Sequence, residues 1–282
     1  MLNDKTVFLT GGTGSLGHAL VELIAKKFTP RKVIIFSRDE LKQHEMNQQY
    51  DFPWLRYFLG NVRDAKRVSD VMTGVDYVVH AAALKQIPSI EYNPTEGVKT
   101  NVTGTMNVID ACVANGVKKA VLISTDKAVH PVNLYGATKL TAEKLFLAAN
   151  NFNKTRFSFV RYGNVLNSRG SVIEFFVKLK EQGVKEFPIT DMIMTRFWIT
   201  LEDAAELVLR ALKSSEQKII PRLPSMGMAD VARAIDPGCT FKVIGVRPGE
   251  KLHEALDEGY SSDKNDVWLS AEELREKLGI SP

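Results

Sequence analysis

The chain has 282 residues, 44% hydrophobic and 25% charged, a composition that excludes a disordered chain, collagen or a coiled coil. Lys and Arg number 37 against 33 Asp and Glu, and the resulting +4 contains no run of five like charges, so neither a nucleic-acid-binding tail nor a polybasic membrane anchor is expected. Cys112 and Cys239 lie outside any metal-ligand or disulfide spacing, and both are expected to be buried and apolar in a reducing compartment. No apolar run approaches the roughly 18 to 20 residues of a membrane span and no leader precedes the first strand, so a cytoplasmic location is expected.

In chain order, short β-rich runs alternate with helical patterns: Thr6–Thr10 then Ser15–Lys27, 32–36 then Glu40–Gln49, Leu55–Leu59, 77–81, 101–115 and 120–124. Such alternation predicts parallel strands joined by crossover helices. The runs VFLT, VIIF, YVVH and AVLIS are apolar almost throughout, as strands covered on both faces must be, and a doubly wound α/β sheet follows. From about Gly163 onward, segments rich in Gly, Pro and Ser separate short helices. The expected division is residues 1–165 as a dinucleotide-binding domain, with a return segment near 195–215, and 166–282 as a smaller substrate lobe. No polar linker separates the two, so they are expected to pack around a cleft at the carboxyl ends of the strands.

The first strand ends in Gly11-Gly12-Thr13-Gly14-Ser15-Leu16-Gly17, and a helix pattern follows at once. Glycines in that position let the backbone approach a pyrophosphate, which the N-terminus of the helix then holds. Where a nicotinamide dinucleotide site often ends its second strand in an acid, this chain has Ser37-Arg38, with Lys42 one turn on. Hydroxyl and guanidinium suit a ribose 2′-phosphate, so NADP is expected, whereas an Asp39 turned into the pocket would favour NAD. Past strand 120–124 comes Ser124-Thr125-Asp126-Lys127, and then Tyr135 and Lys139 at i and i+4 of a helical pattern. That spacing puts phenol and ammonium on one face, and Lys139 is expected to depress the phenol so that Tyr135 serves as a base. The five histidines show no ligand spacing, and no metal is expected. Tyr50, Phe52, Trp54 and Tyr57 are read as packing rather than a nucleic-acid stacking platform.

Together these motifs resemble the extended short-chain dehydrogenase/reductase family, with its Rossmann-type sheet. Within it they resemble the inverting nucleotide-sugar 4,6-dehydratases that act on UDP-N-acetylglucosamine in pseudaminic acid pathways. The resemblance is carried by TGGTGSLG (10–17), FSRDELKQ (36–43), HAAALKQIP (80–88), STDKA (124–128), NLYGATK (133–139), RYGNV (161–165), SRGSV (168–172), MTRFWIT (194–200) and RPGEKLHE (247–254).

It implies a redox-neutral dehydration by a hydro-lyase. Tyr135, helped by Lys139, takes the C4 hydroxyl proton while hydride passes to NADP; Lys127 acts as base at C5, its proton affinity lowered by nearby positive charge; and Asp126 protonates the departing C6 hydroxyl. Cofactor contacts are implied at Gly11, Thr13, Gly14, Ser15, Leu16, Gly17, Ser37, Arg38, Asp39, Glu40, Leu41, Lys42, Asn61, Val62, Ala81, Lys85, Tyr135 and Lys139. Substrate contacts are implied at Lys85, Asn164, Arg169, Gly170, Ser171, Val172, Ile173, Arg196, Arg247 and Glu250. Arg196 and Arg247 suit a diphosphate, the lesser alternative for Arg247, before Pro248-Gly249, being to fix a turn. A UDP-sugar and a second copy of the chain are the implied partners. A 4-epimerase or a non-inverting dehydratase on the same scaffold, and an inactive dinucleotide sensor, are the alternatives. Two departures stand out. Asn61 occupies a position where the family has Asp, and it keeps a carbonyl to accept from the adenine amino group. Relatives also carry roughly 45 more residues between the LHE and YSS segments, beyond ordinary loop trimming, so the substrate lobe or an oligomer contact is expected to differ.

Overall fold

The computed structural model describes residues 1–168 and 170–280. The first part of the chain runs β1 (Thr6–Thr10), α1 (Ser15–Lys27), β2 (Lys32–Ser37), α2 (Glu40–Gln49), β3 (Leu55–Leu59), α3 (Ala65–Val71), β4 (Tyr77–His80), α4 (Ile87–Tyr92), α5 (Pro94–Val98), α6 (Gly104–Ala114), β5 (Lys119–Ile123), α7 (Leu134–Ala148) and β6 (Arg156–Val160). It continues through β7 (Asn164–Val165), α8 (Val172–Glu181), β8 (Glu186–Ile189), β9 (Thr195–Ile199), α9 (Leu201–Lys213), β10 (Lys218–Ile219), β11 (Ser225–Gly227), α10 (Met228–Ile235), β12 (Thr240–Val243), β13 (Ala255–Asp257), β14 (Tyr260–Ser261) and α11 (Ala271–Leu278).

Seven parallel strands form the main sheet in the order β10-β6-β5-β4-β1-β2-β3. Alternate residues of each strand feed two cores, which is why the strands read as apolar throughout. Val7, Leu9, Val33, Ile35, Val79 and Val121 point to a layer built from α1, α2 and α9; Phe8, Ile34, Phe36, Val78, Ala120 and Leu122 point to one built from α3, α6 and α7. The chain reverses direction across the sheet between β1 and β4, the switch point at which such sheets bind ligands. A third core, centred on Phe176, Phe187, Trp198 and Ile235, joins α8, α10 and α11 to the small sheet β11-β9-β7 and to the parallel pair β12-β8.

The sheet differs from the sequence expectation in three places. Two strands that the sequence reading did not mark extend the sheet past β5: β6, and β10, too short at two residues to show a pattern. Short helices α3, α4 and α5 occupy stretches read as connections. The helix expected from 101 begins as a π-turn, Lys99–Thr103, before α6 continues it. That wide turn brings the buried Asn101 amide to Leu84, with its oxygen accepting from Leu84 N at 2.8 Å and its nitrogen donating to Leu84 O at 2.9 Å, and so anchors the segment entering the cleft. Cys112 is buried as expected, but Cys239 is only half-buried. The Tyr50, Phe52 and Trp54 rings stack in series, and the Tyr50 hydroxyl donates to Glu22 of α1 at 2.6 Å, which ties the end of α2 to α1.

Candidate active site

A cleft of about 770 Å³ runs along the carboxyl ends of the strands from the glycine loop to Glu254. At one end Gly11 holds φ +67°, and a Cβ there would lie 2.9 Å from Ala82 Cα; a Cβ on Gly17 would stand 1.9 Å from Gly12 O. Glycine at these two positions lets the loop pack against the β4 connection and lets α1 start directly beneath it. Gly14 caps α1 without a side chain, and the first turn carries no acidic residue, so the positive end of the helix faces the cleft without a competing carboxylate. This donor set fits a pyrophosphate. Beneath it His80 is fully buried, bonded to Thr10 Oγ1 at 2.7 Å and Thr105 Oγ1 at 3.1 Å; burial first, then Lys139, drives it down to about 3, so it supports the strand ends as a neutral ring.

Ser37, Arg38, Asp39 and Lys42 also line the cleft. Asp39 caps α2, accepting from Lys42 N at 3.1 Å and facing Lys42 Nζ at 3.2 Å, and these bonds hold its carboxyl below the usual range. The carboxylate that would receive a ribose hydroxyl is therefore engaged locally, whereas no ion pair among the described residues holds Arg38. Glu40 and Leu41 do not line the cleft: they sit on the outer face of the first turn of α2, where Leu41 is 65% exposed. Gly17 does not line it either, its place being the loop–helix contact. Asn61 and Val62 form the far wall, and the Asn61 carbonyl already accepts from Arg63 N at 3.1 Å, leaving a single lone pair for an adenine.

The catalytic candidates come together where β5 ends. Asp126 N donates to Tyr162 O and Thr125 caps the short turn 126–128, which sets Asp126 and Lys127 at the cleft. Asn133 caps α7, and Gly136 permits that helix to press on the same turn: a Cβ there would be 2.1 Å from Lys127 O. Tyr135 thus stands beside Lys127, and Lys139 lies one turn deeper, 3% exposed. Lys127 Nζ is 3.0 Å from Asp126 Oδ1, 3.5 Å from Asn164 Oδ1 and 3.6 Å from Glu254 Oε1. Asp126 is fully buried; Thr125 Oγ1 donates to its Oδ1 at 2.8 Å, while its Oδ2 has no protein partner.

Electrostatics correct two expectations. Burial pushes the Tyr135 phenol up to about 12, and the cation that pulls it back is Lys127, aided by the Thr125 hydroxyl; Lys139 has no resolved part in it. Lys139 itself is lowered to about 8 by burial, with Glu143 opposing. For Lys127 burial works against the ammonium, but Asp126 and Glu254 outweigh it, so its proton affinity is raised rather than lowered. Asp126 is raised by burial, then lowered in part by Lys127, as a proton donor requires. Lys85, although exposed, stands in the cleft wall, where desolvation and then Lys127 lower it.

Among the candidate substrate contacts, Asn164, Gly170, Ser171, Val172, Arg196 and Glu250 line the cleft, and Glu250 Oε2 is buried without a protein partner. Ile173 is buried in the third core instead. Arg247 is exposed outside the cleft, and its carbonyl accepts from Glu250 N, which matches the turn alternative. Arg169 lies outside the described residues. Arg196 is not an open fork: it donates to Thr195 O, Leu252 O and Lys251 O at 2.8 to 3.0 Å and pairs with Glu250 at 3.6 Å, clamping the 250–252 segment. Thr125, Gly136 and Glu254 were missed as site residues. The STDKA and YGATK strings held a signal for the first two, whereas Glu254 reaches Lys127 only through the fold.

The polysaccharide biosynthesis protein family matches residues 7–269. An inverting UDP-N-acetylglucosamine 4,6-dehydratase of Campylobacter jejuni is 53% identical over 100% of this chain and 84% of its own length. A UDP-glucose 4-epimerase of Rickettsia canadensis is 43% identical over 91% of this chain and 78% of its own. Among solved structures, Pen from Bacillus thuringiensis superposes with TM-score 0.91 at 34% identity, covering 98% of this chain and 97% of Pen. The two chains thus match over nearly their whole lengths. The dTDP-glucose 4,6-dehydratase DesIV of Streptomyces venezuelae, with NAD and TYD bound, has TM-score 0.78 at 20% identity over 98% and 92% of the two chains, a likeness of fold.

Proposed function

Because the chain belongs to the polysaccharide biosynthesis protein family, we infer that it is a hydro-lyase, an inverting UDP-N-acetylglucosamine 4,6-dehydratase. The observation that carries this reading is the Asp126–Lys127 pair, a buried carboxyl and an amine 3.0 Å apart in the cleft wall that also carries Tyr135. A 4-epimerase needs only a base at C4 and a hydride carrier, which would leave this pair without work.

The cofactor proposed is NADP, held by the glycine loop and α1, with Arg38 and Lys42 at the 2′-phosphate and Asn61 and Val62 at the adenine. When bound, it would supply a reversible hydride acceptor for C4 and C6 and a ring charge that favours a phenolate. Tyr135 takes the C4 hydroxyl proton. The resulting ketone acidifies C5, where Lys127 takes the proton, and Asp126 gives its proton to the departing C6 oxygen. Lys127 needs a neutral amine and Asp126 a protonated carboxyl, and the ion pair reaches that state by one transfer: the Lys127 Nζ–H bond breaks as an Asp126 O–H bond forms. When the elimination is complete the ammonium and carboxylate are restored; C6 then regains the hydride as a solvent proton reaches C5 on the face away from Lys127, Tyr135 releases the C4 hydroxyl proton to solvent, and water is the only by-product. Lys85, Asn164, Ser171 and Glu250 are proposed to hold the sugar nucleotide, and Arg196 to set the Glu250 loop. Among the described residues no helix is long and apolar enough to cross a membrane; a cytoplasmic homo-oligomer feeding a pseudaminic-acid-type pathway is the setting proposed. Incubation with UDP-N-acetylglucosamine tests the reading by mass spectrometry: the product should be lighter by one water with no net reduction of the nicotinamide, and an isomer of unchanged mass would refute it.

A further inference from the structure

Glu254 belongs to none of the roles assigned above, yet it is a carboxylate only 3% exposed and 3.6 Å from the amine at the centre of the chemistry. A hairpin holds it there. β13 begins at the next residue and returns as β14, and Ser262 closes the ladder: Ser262 N donates to Glu254 O at 2.8 Å and Glu254 N donates to Ser262 Oγ at 3.0 Å. Lys251 Nζ bonds Glu254 Oε2 at 3.1 Å and Val129 O at 2.7 Å, tying the carboxylate to the chain just past the Asp126–Lys127 turn.

Resting on the dehydratase reading, we propose that Glu254 is a positioning residue for Lys127: it holds the amine beside Asp126, and its fixed negative charge sets the pH window in which the pair can exchange its proton. Two carboxylates flank one amine in unlike surroundings. Asp126 has a neutral hydroxyl from Thr125 and the shared Lys127, whereas Glu254 has Lys251 and the nearby Arg196 besides Lys127. Burial disfavours both anions, but these cations hold Glu254 below the usual range while Asp126 is raised. Division of this kind marks one carboxyl as the proton carrier and the other as the permanent anion. The charged and titratable groups facing Lys127 are Asp126, Glu254, Arg196, Lys85 and Tyr135.

Removing the anion lowers the proton affinity of both Lys127 and Asp126, because each feels it with the same sign. Because the resting pair is an ammonium and a carboxylate, the acid limb of the kcat/KM profile reports Asp126 gaining a second proton for the pair, and the basic limb reports Lys127 losing the last one. For Glu254→Gln the whole bell is expected to slide to lower pH by about one unit or more, given the 3.6 Å separation. Glu254→Asp, which keeps the charge, should restore the limbs even where kcat stays reduced. Lys251→Met, which removes a cation, should move the bell to higher pH and serves as the test if Glu254→Gln does not fold. Holoenzyme is assayed with UDP-N-acetylglucosamine across pH. Limbs unmoved in both charge-changing variants, or equally moved in Glu254→Asp and Glu254→Gln, overturn the proposal. Failure of the wild type to release water from this substrate overturns the dehydratase reading instead.

Discussion

Lys139 costs the folded protein stability, and replacing it by Met should show how much. The fold removes this amine from water and lowers it from 10.5 to about 8, a gap worth about 3 kcal/mol in favour of the neutral form. The sign follows from proton counting. Below pH 8 both folded and unfolded chains hold the proton, and the folded state bears the full cost of a buried ammonium. Between about 8 and 10.5 the unfolded chain still binds the proton while the folded one has released it, so wild-type stability climbs with pH across that window. Methionine matches the stem of lysine without the charge. Lys139→Met, stripped of dinucleotide, is therefore expected to be more stable at pH 7 by up to about 3 kcal/mol, with a melting temperature higher by up to about 10 °C. The advantage should vanish as pH approaches 10.5. Denaturant melts of both proteins from pH 6.5 to 10 measure this. A variant less stable than wild type at pH 7, or a gap that widens with pH, would show that burial of the ammonium is not the dominant effect.

Three further expectations follow from named contacts. Arg38→Ala should weaken NADP by about tenfold or more, through loss of a charge-assisted contact, and NAD much less; equal losses in calorimetric titrations would remove Arg38 from the 2′-phosphate. Gly17→Ala puts a methyl 1.9 Å from Gly12 O, so the loop and the start of α1 must separate, and dinucleotide affinity should fall by at least about tenfold; wild-type binding would show that the contact yields freely. Arg161→Met strands Glu143, 2% exposed, beside Ser124, and should cost about 3 to 5 kcal/mol in denaturant unfolding; a loss below about 1 kcal/mol would mean that Glu143 finds another partner or a proton.

How far the sequence was legible depended on whether a feature was periodic or relational. Strands β1 to β5 are largely apolar runs, α1 is a 3.6-residue pattern, and α2 is a polar run of helix formers behind the Asp39 cap, and local sequence carries all of that. The π-turn at Lys99–Thr103 left no such mark, because its driver is the bonding of Asn101 to Leu84, a partner 17 residues away. β10 was invisible for the opposite reason: two residues have no period, and they pair because α9 returns the chain to the edge of β6. At the site, residue types and i, i+4 spacing pointed to Tyr135, Lys139, Asp126 and Lys127. They did not reveal the electrostatics. A nearby-cation argument predicted a lowered Lys127, whereas the fold presents it with Asp126 and with a carboxylate more than a hundred residues along the chain. Arg196 likewise looked like a phosphate fork until the carbonyls of Thr195, Lys251 and Leu252 claimed its donors.

Nuclear magnetic resonance of the sugar formed from UDP-N-acetylglucosamine in deuterated water bears most directly on the central claim, that Lys127 and Asp126 remove water across C5 and C6 of a hexose oxidised at C4. A 4-keto sugar with a C6 methyl group, solvent deuterium at C5 and the L configuration there is the predicted result. A product inverted at C4, with its C6 hydroxyl intact and protium at C5, would contradict it.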